Sequence, residues 1–146
     1  MVAAVQAEVV AEARRWIGTP YVHQASCLGA GADCLGLLRG VWRAVLGGEP
    51  CPVPPYTPDW AEPGRHEVLL EAARRWLVEK PLAEAAAGDV LVFRMRAGSI
   101  AKHLGIQARV GAGASFVHAY TGHSVIESPL SAPWARRVAG RFAWRG

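Results

Sequence analysis

Residues 31–43 read GADCLGLLRGVWR, and the reading of this stretch decides the rest of the chain. Asp33 has the chemistry of a helix N-cap, because its short carboxylate can accept from the unpaired N–H groups of a first turn. Leu37, Leu38, Val41, Trp42 and Val45 then recur at helical spacing as one buried stripe, which Gly47–Gly48 ends. Gly36 and Gly40, one turn apart, would let another backbone approach this helix closely. Cys34 therefore stands in the first turn, where free N–H groups and the positive end of the helix dipole favour thiolate over thiol. A cysteine is ordinarily a small buried hydrophobe, so the position implies chemistry only if a base accompanies it.

Two histidines can supply that base. His103 and His118 fall in KHLGIQ and SFVHAY, consecutive β-type runs separated by RVGAGAS. If Gly105 lies opposite His118, the two imidazoles share a face as diagonal neighbours; a slip of one residue separates them. Phe116, His118 and Tyr120 alternate with Val117 and Ala119, and the His118 face is expected to be the helix-facing one. Cys34 would then be the nucleophile, His103 the base and His118 the group that orients it.

Outward from these motifs the chain divides by period. Val5, Val9, Ala13, Trp16 and Ile17 form one helical face, stopped by Gly18 and Pro20, and a Gly- and Ala-rich loop runs from Tyr21 to Ala32. Residues 50–63 hold six prolines and read as an extended loop presenting Tyr56 and Trp60. A third helix is expected from about Arg65 to Glu79, with Leu69, Ala72, Ala73, Trp76 and Leu77 inward. Five β-type runs follow, at Asp89–Met95, His103–Ala108, Ser115–Tyr120, Ser124–Ser128 and about Ala135–Trp144, as in an antiparallel meander. Helices first and strands after give an α+β class, in one domain spanning residues 1–146.

Composition narrows the function classes. The 146 residues are 51% hydrophobic and 19% charged, with a net charge of +4 carried mostly by scattered arginine pairs. No nucleic-acid motif accompanies that charge, which suits any anionic polymer, so no nucleic-acid partner is expected. Every apolar run is interrupted by Gly, Pro, His or a charge, so no membrane span is expected. Met1–Val10 lacks a basic n-region and carries Glu8, which implies synthesis in the cytoplasm without a signal peptide. Cys27, Cys34 and Cys51 have no CxxC spacing, arguing against a disulfide framework, and Cys27 and Cys51 read as free thiols. His23, His66 and His123 read as surface or loop residues. A metal module built on Cys34, His103 and His118 would have only three ligands, and no metal or cofactor is expected.

The order DCLGL, GDVLVF, KHLGI, FVHAY resembles the NlpC family of papain-like cell-wall cysteine peptidases, and the likeness runs from GTPYV at 18–22 to the last strand. It implies a papain-like α+β fold, N-terminal helices on a C-terminal antiparallel sheet, with Cys34, His103 and His118 as a catalytic triad. It further implies hydrolysis of peptidoglycan stem peptides, typically between γ-D-glutamyl and a diamino acid. Tyr21 matches the tyrosine whose hydroxyl helps bind the oxyanion, and Asp33 the carboxylate that lies near the bound peptide's amine. Two departures stand out: Leu35 replaces the usual Ser, and VHQAS at 22–26 replaces the aromatic-Gly-Gly that follows the tyrosine. The wording DCLGL and PPYTPDWAE is similar to small peptidases of phage tails and gene transfer agents. That implies tail or hub proteins as partners and a particle tail as the vehicle to the wall. A catalytically silent tail or hub protein, or a papain-like amidase or acyltransferase, are the rival readings.

Overall fold

The computed structural model describes residues 2–50, 67–96 and 98–145. The Pro-rich segment, with Cys51, Tyr56, Trp60 and His66, lies outside the described residues.

Helix α1 (Val2–Arg15) buries Val9, Ala13 and Trp16, as their spacing requires. Ile17 departs from that stripe and is exposed, because the helix has ended and the chain turns at Gly18, whose φ is +94°. The loop beyond it folds into a small ribbon, β1 (Ser26–Cys27) paired antiparallel with β2 (Gly31–Ala32). Helix α2 (Cys34–Leu46) follows at once, with Asp33 as its cap: Gly36 N–H donates to Asp33 Oδ1 at 2.7 Å. Leu37 and Val41 are fully buried beneath it, each worth about 1.5–3 kcal/mol of transfer free energy. The two glycines on α2 serve close packing, though against different groups. A Cβ at Gly36 would lie 1.8 Å from the Ala25 carbonyl oxygen, whereas at Gly40 it would meet the Trp16 ring at 2.1 Å.

Helix α3 spans Val68–Trp76, and it is shorter than expected. Leu77 turns extended and Val78–Lys80 forms a strand, β3, that pairs with Arg141–Ala143. Sheet pairing captured residues whose local pattern was compatible with either state. On this helix Leu70 is buried and Ala72 exposed, a small rotation of the expected stripe.

The described strands β3, β4 (Val90–Phe93), β5 (His103–Arg109), β6 (Ser115–His118), β7 (Ile126–Pro129) and β8 (Val138–Ala143) form one antiparallel sheet in the order β3-β8-β4-β5-β6-β7. Four of them run as the expected meander; β8 returns across it to pair with β4 and β3. A short helix, α4 (Ala132–Ala135), ends on the first residue of the last expected strand, so that β8 begins at Val138, and Pro133 fits the first turn of the helix.

Both faces of the sheet are covered. Val90, Val92, Leu104, Ile106, Val117, Ala119 and Phe142 join the main core with α1, α2 and α3. Leu91, Phe93 and Phe116 point the other way, into a second cluster closed by Met95, Leu130, Trp134 and Val138. Across the first core's far end, Asp89 is fully buried and bonded to Arg141 Nη1 at 2.7 Å. Gln6 Nε2, Lys80 Nζ and the Ala86 N–H complete its shell. No helix of the described residues is long and apolar enough to cross a membrane.

Candidate active site

Cys34 owes its place to Asp33. Asp33 Oδ1 caps the helix while Oδ2 accepts from the Gln24 N–H at 2.7 Å, so one buried carboxylate ties the 21–25 loop to the start of α2. Gln24 takes a left-handed conformation, φ +64°, to make that bond. The cap thereby also shapes the wall of the cavity above the thiol. This cavity, about 190 Å³, is lined by Tyr21, His23, Asp33, Cys34, Met95, Lys102, His103 and residues Ala119–Thr121. Four of the five residues singled out in the sequence thus meet there: Cys34, His103, Tyr21 and Asp33. His118 stands behind them, bonded to His103.

The register that brings the histidines together is the one required. Ile106 pairs with Val117 and Gln107 with Phe116, which sets Gly105 across from His118. A side chain at Gly105 would press against Phe116, the Val117 carbonyl and His118, so the bare residue leaves the imidazoles room. His103 Nε2 and His118 Nδ1 are 2.9 Å apart. The other nitrogen of His118, Nε2, is 2.9 Å from Ser128 Oγ on β7.

Their face is the reverse of the one expected. The helix-facing side carries Leu104, Ile106, Val117 and Ala119, so the imidazoles lie on the opposite side, with the aromatic cluster. Trp134 packs edge-on to His118 at 5.2 Å and tilted against His103 at 5.8 Å, with Phe93 and Phe116 beside them. Cys34 and His103 still border one cavity, because His103 is the first residue of β5. The helix start meets the strand at its end rather than through the sheet. The thiol donates to the Lys102 carbonyl oxygen at 3.9 Å, one residue before His103, rather than to an imidazole nitrogen.

Electrostatics correct a second expectation. Burial pushes the Cys34 thiol up to about 12, and the Asp33 carboxylate adds to this. Backbone groups of Leu104, Leu35 and Cys34 act the other way, as a helix start should, but they do not outweigh desolvation. Burial likewise pulls His103 down to about 3, with His118 adding to it, and His118 down to about 4, with His123 adding. Burial thus favours the neutral form of both the thiol and the imidazole. Burial also raises Tyr21, against a hydrogen bond with the Thr121 side chain that lowers it.

His23 is a loop residue, as expected; it is half-buried, lines the cavity and lies 3.7 Å from Asp33 Oδ2. His123 is exposed and stacks on Tyr120. Cys27 is exposed and, like Cys34, unbridged. Ser128, Trp134 and Lys102 were not visible as site residues in the sequence, since each acquires its role from a contact distant in the chain. Among the described residues, no group of three or more His, Cys, Asp or Glu is placed to hold a metal ion.

No family model matches the chain. In sequence it is 32% identical over 135 residues to the gamma-DL-glutamyl hydrolase of Bacillus subtilis, covering 90% of this chain. The chain spans only 28% of that protein's length. Among solved structures it resembles the NlpC/p60 domain of the peptidoglycan hydrolase SagA, at TM-score 0.60 and 29% identity, covering 97% of this chain and 98% of that one. An NLP/P60 family protein from Staphylococcus aureus, described as similar to a lipoprotein, gives TM-score 0.65 and 20% identity over 98% of this chain and 42% of its own. An NlpC/P60 family protein from Bacillus cereus gives 0.62 and 21% over 96% and 39%. The cavity thus sits on a fold shared with structures of the NlpC/P60 group, and the chain has the papain-like α+β architecture of those proteins.

Proposed function

We propose that the chain is a cysteine peptidase of the NlpC type, which hydrolyses peptide bonds in the stem of peptidoglycan. The observation that carries this reading is the meeting of Cys34 and His103 at one cavity, with His118 bonded behind His103. The SagA likeness supports a wall substrate, and the gamma-DL-glutamyl hydrolase likeness supports a γ-glutamyl bond as the one cut.

The chemistry follows from the neutral pair. The thiol turns from the Lys102 carbonyl toward His103, whose Nε2 is engaged by His118, so Nδ1 is the nitrogen left to take its proton. As the sulfur adds to the substrate carbonyl, the S–H proton passes to His103 and the carbonyl becomes an oxyanion. The backbone N–H of Cys34 and the Tyr21 hydroxyl are the donors proposed for that oxyanion. Collapse breaks the C–N bond, and His103 returns the proton to the leaving amine. Water, deprotonated by the same imidazole, then cleaves the thioester and frees the carboxylate and the thiol. Asp33 is proposed to lie near the amine of the bound peptide, although its two oxygens already cap α2 and hold Gln24.

The wording shared with phage-tail and gene-transfer-agent peptidases supports a particle tail as carrier and tail or hub proteins as partners. Mass spectrometry of muropeptides after incubation with the pure protein tests the activity. A new cut after γ-D-glutamyl, lost in the Cys34→Ala variant, is the expected result. Unchanged muropeptides would leave the chain a silent tail or hub protein.

A further inference from the structure

The geometry points to Ser128 as a positioning residue, which supplies the acceptor that the His118–His103 pair needs to adopt the one tautomer able to take the thiol proton. This rests on the reading of Cys34, His103 and His118 as nucleophile, base and orienter.

A single proton lies in the 2.9 Å contact between His103 Nε2 and His118 Nδ1. If His103 supplies it, His103 Nδ1 is bare and can receive a proton from Cys34. If His118 supplies it, neutral His103 must carry its hydrogen on Nδ1, and the base is blocked. The productive arrangement therefore requires His118 to keep its proton on Nε2. That atom is 2.9 Å from Ser128 Oγ.

The hydroxyl matters because His118 is 2% exposed, and its Nε2 has no easy recourse to solvent. Phe116 and Trp134 pack against the ring and offer no acceptor. A buried N–H without an acceptor is among the least tolerated polar states, less so than a bare lone pair. With Ser128 present, an Nε2–H has an acceptor in Oγ, although the same hydroxyl can also donate to a bare Nε2, so Ser128 permits the productive form. Without it, the proton is better placed on Nδ1, shared with His103, which is the blocked form. During catalysis the demand is stricter. Once His103 is an imidazolium, its Nε2–H must donate to His118 Nδ1, and His118 must donate onward to Ser128.

Strand pairing fixes the contact. Phe116 lies opposite Ser128 and His118 opposite Ile126, so Ser128 is the diagonal same-face neighbour of His118. Ser128 lies outside the residues that line the cavity, and its effect on the reaction runs through His118.

The test is long-range proton–nitrogen NMR of histidine-labelled protein, with steady-state kinetics on a γ-glutamyl stem peptide alongside. The wild type should show His118 as the Nε2–H tautomer. Ser128→Ala should shift it toward Nδ1–H and lower kcat about tenfold or more, with KM little changed. Ser128→Thr should restore both. Wild-type His118 protonated on Nδ1 would overturn the proposal, whatever the variants do. So would an Ala variant that keeps the Nε2–H tautomer, or a loss confined to KM. A wild type that cleaves no stem peptide would defeat the peptidase reading, while the tautomer measurement still decides the role of Ser128.

Discussion

His103 Nε2 stands 2.9 Å from His118 Nδ1, at the start of one strand and the end of its neighbour, beneath Trp134 on the face of the sheet turned away from the helices. In the proposed mechanism the contact divides the labour of the two rings: one nitrogen of His103 is held by His118, and the other would take the thiol proton.

Removal of the nucleophile should be decisive. Cys34→Ala and Cys34→Ser are expected to lower wall hydrolysis by at least about a thousandfold, because a hydroxyl is a far poorer nucleophile here. Both should melt close to the wild type, since the N-cap is made by Asp33 and not by Cys34. Muropeptide release and a thermal melt by circular dichroism measure the two halves; an active alanine variant would end the cysteine mechanism.

The histidines should differ in severity. His103→Ala deletes the proton carrier and should match the cysteine variants. His118→Gln retains a side-chain oxygen able to accept from His103, so a loss of roughly ten- to a hundredfold is expected. Initial rates on one stem peptide compare them directly. A glutamine variant worse than the alanine variant would mean the two roles are reversed.

The resting thiol should be protonated. With burial holding Cys34 at about 12, the wild type should show no ultraviolet thiolate absorbance beyond that of Cys34→Ala near neutral pH. Alkylation of Cys34 should be slow there and rise with pH. A rate that stays flat down to mildly acidic pH would instead mean a preformed thiolate–imidazolium pair.

Acid should destabilise the fold through the same pair. His103 and His118 are held near 3 and 4, whereas an unfolded histidine titrates at about 6.5. Between these values the unfolded chain binds more protons, so stability is full above about pH 6.5 and falls as pH drops through that window. The cost reaches up to about 1.4 kcal/mol per pH unit for each histidine. Urea denaturation at successive pH values measures it. His118→Gln should flatten the acid limb; an unchanged slope would mean that His118 is protonated in the folded state.

Away from the cavity, the Asp89–Arg141 pair should carry a large share of stability. Asp89 has no exposed surface and Arg141 very little, so Asp89→Ala strands a buried guanidinium beside Gln107. A loss of about 3–5 kcal/mol in urea denaturation is expected, with much less when both partners become apolar together. Equal losses in the single and paired variants would show that the charge pairing itself is not the cause.

Much of this was legible in the chain itself, where the cause is local. The cap at Asp33, the buried stripe of α2 and the alternation in FVHAY depend on neighbours within a few residues, and the strands lie close to where their period places them. Tertiary structure decided what depends on distant partners. Alternation shows that a strand has two faces, but in this sheet both are buried and apolar. Nothing within SFVHAY could therefore tell that Val117, rather than His118, faces the helices. Val78–Lys80 became a strand because β8 offered its edge. The state of the thiol was set the same way: a helix start favours its charge, but how thoroughly water is excluded there depends on what the fold packs over Cys34.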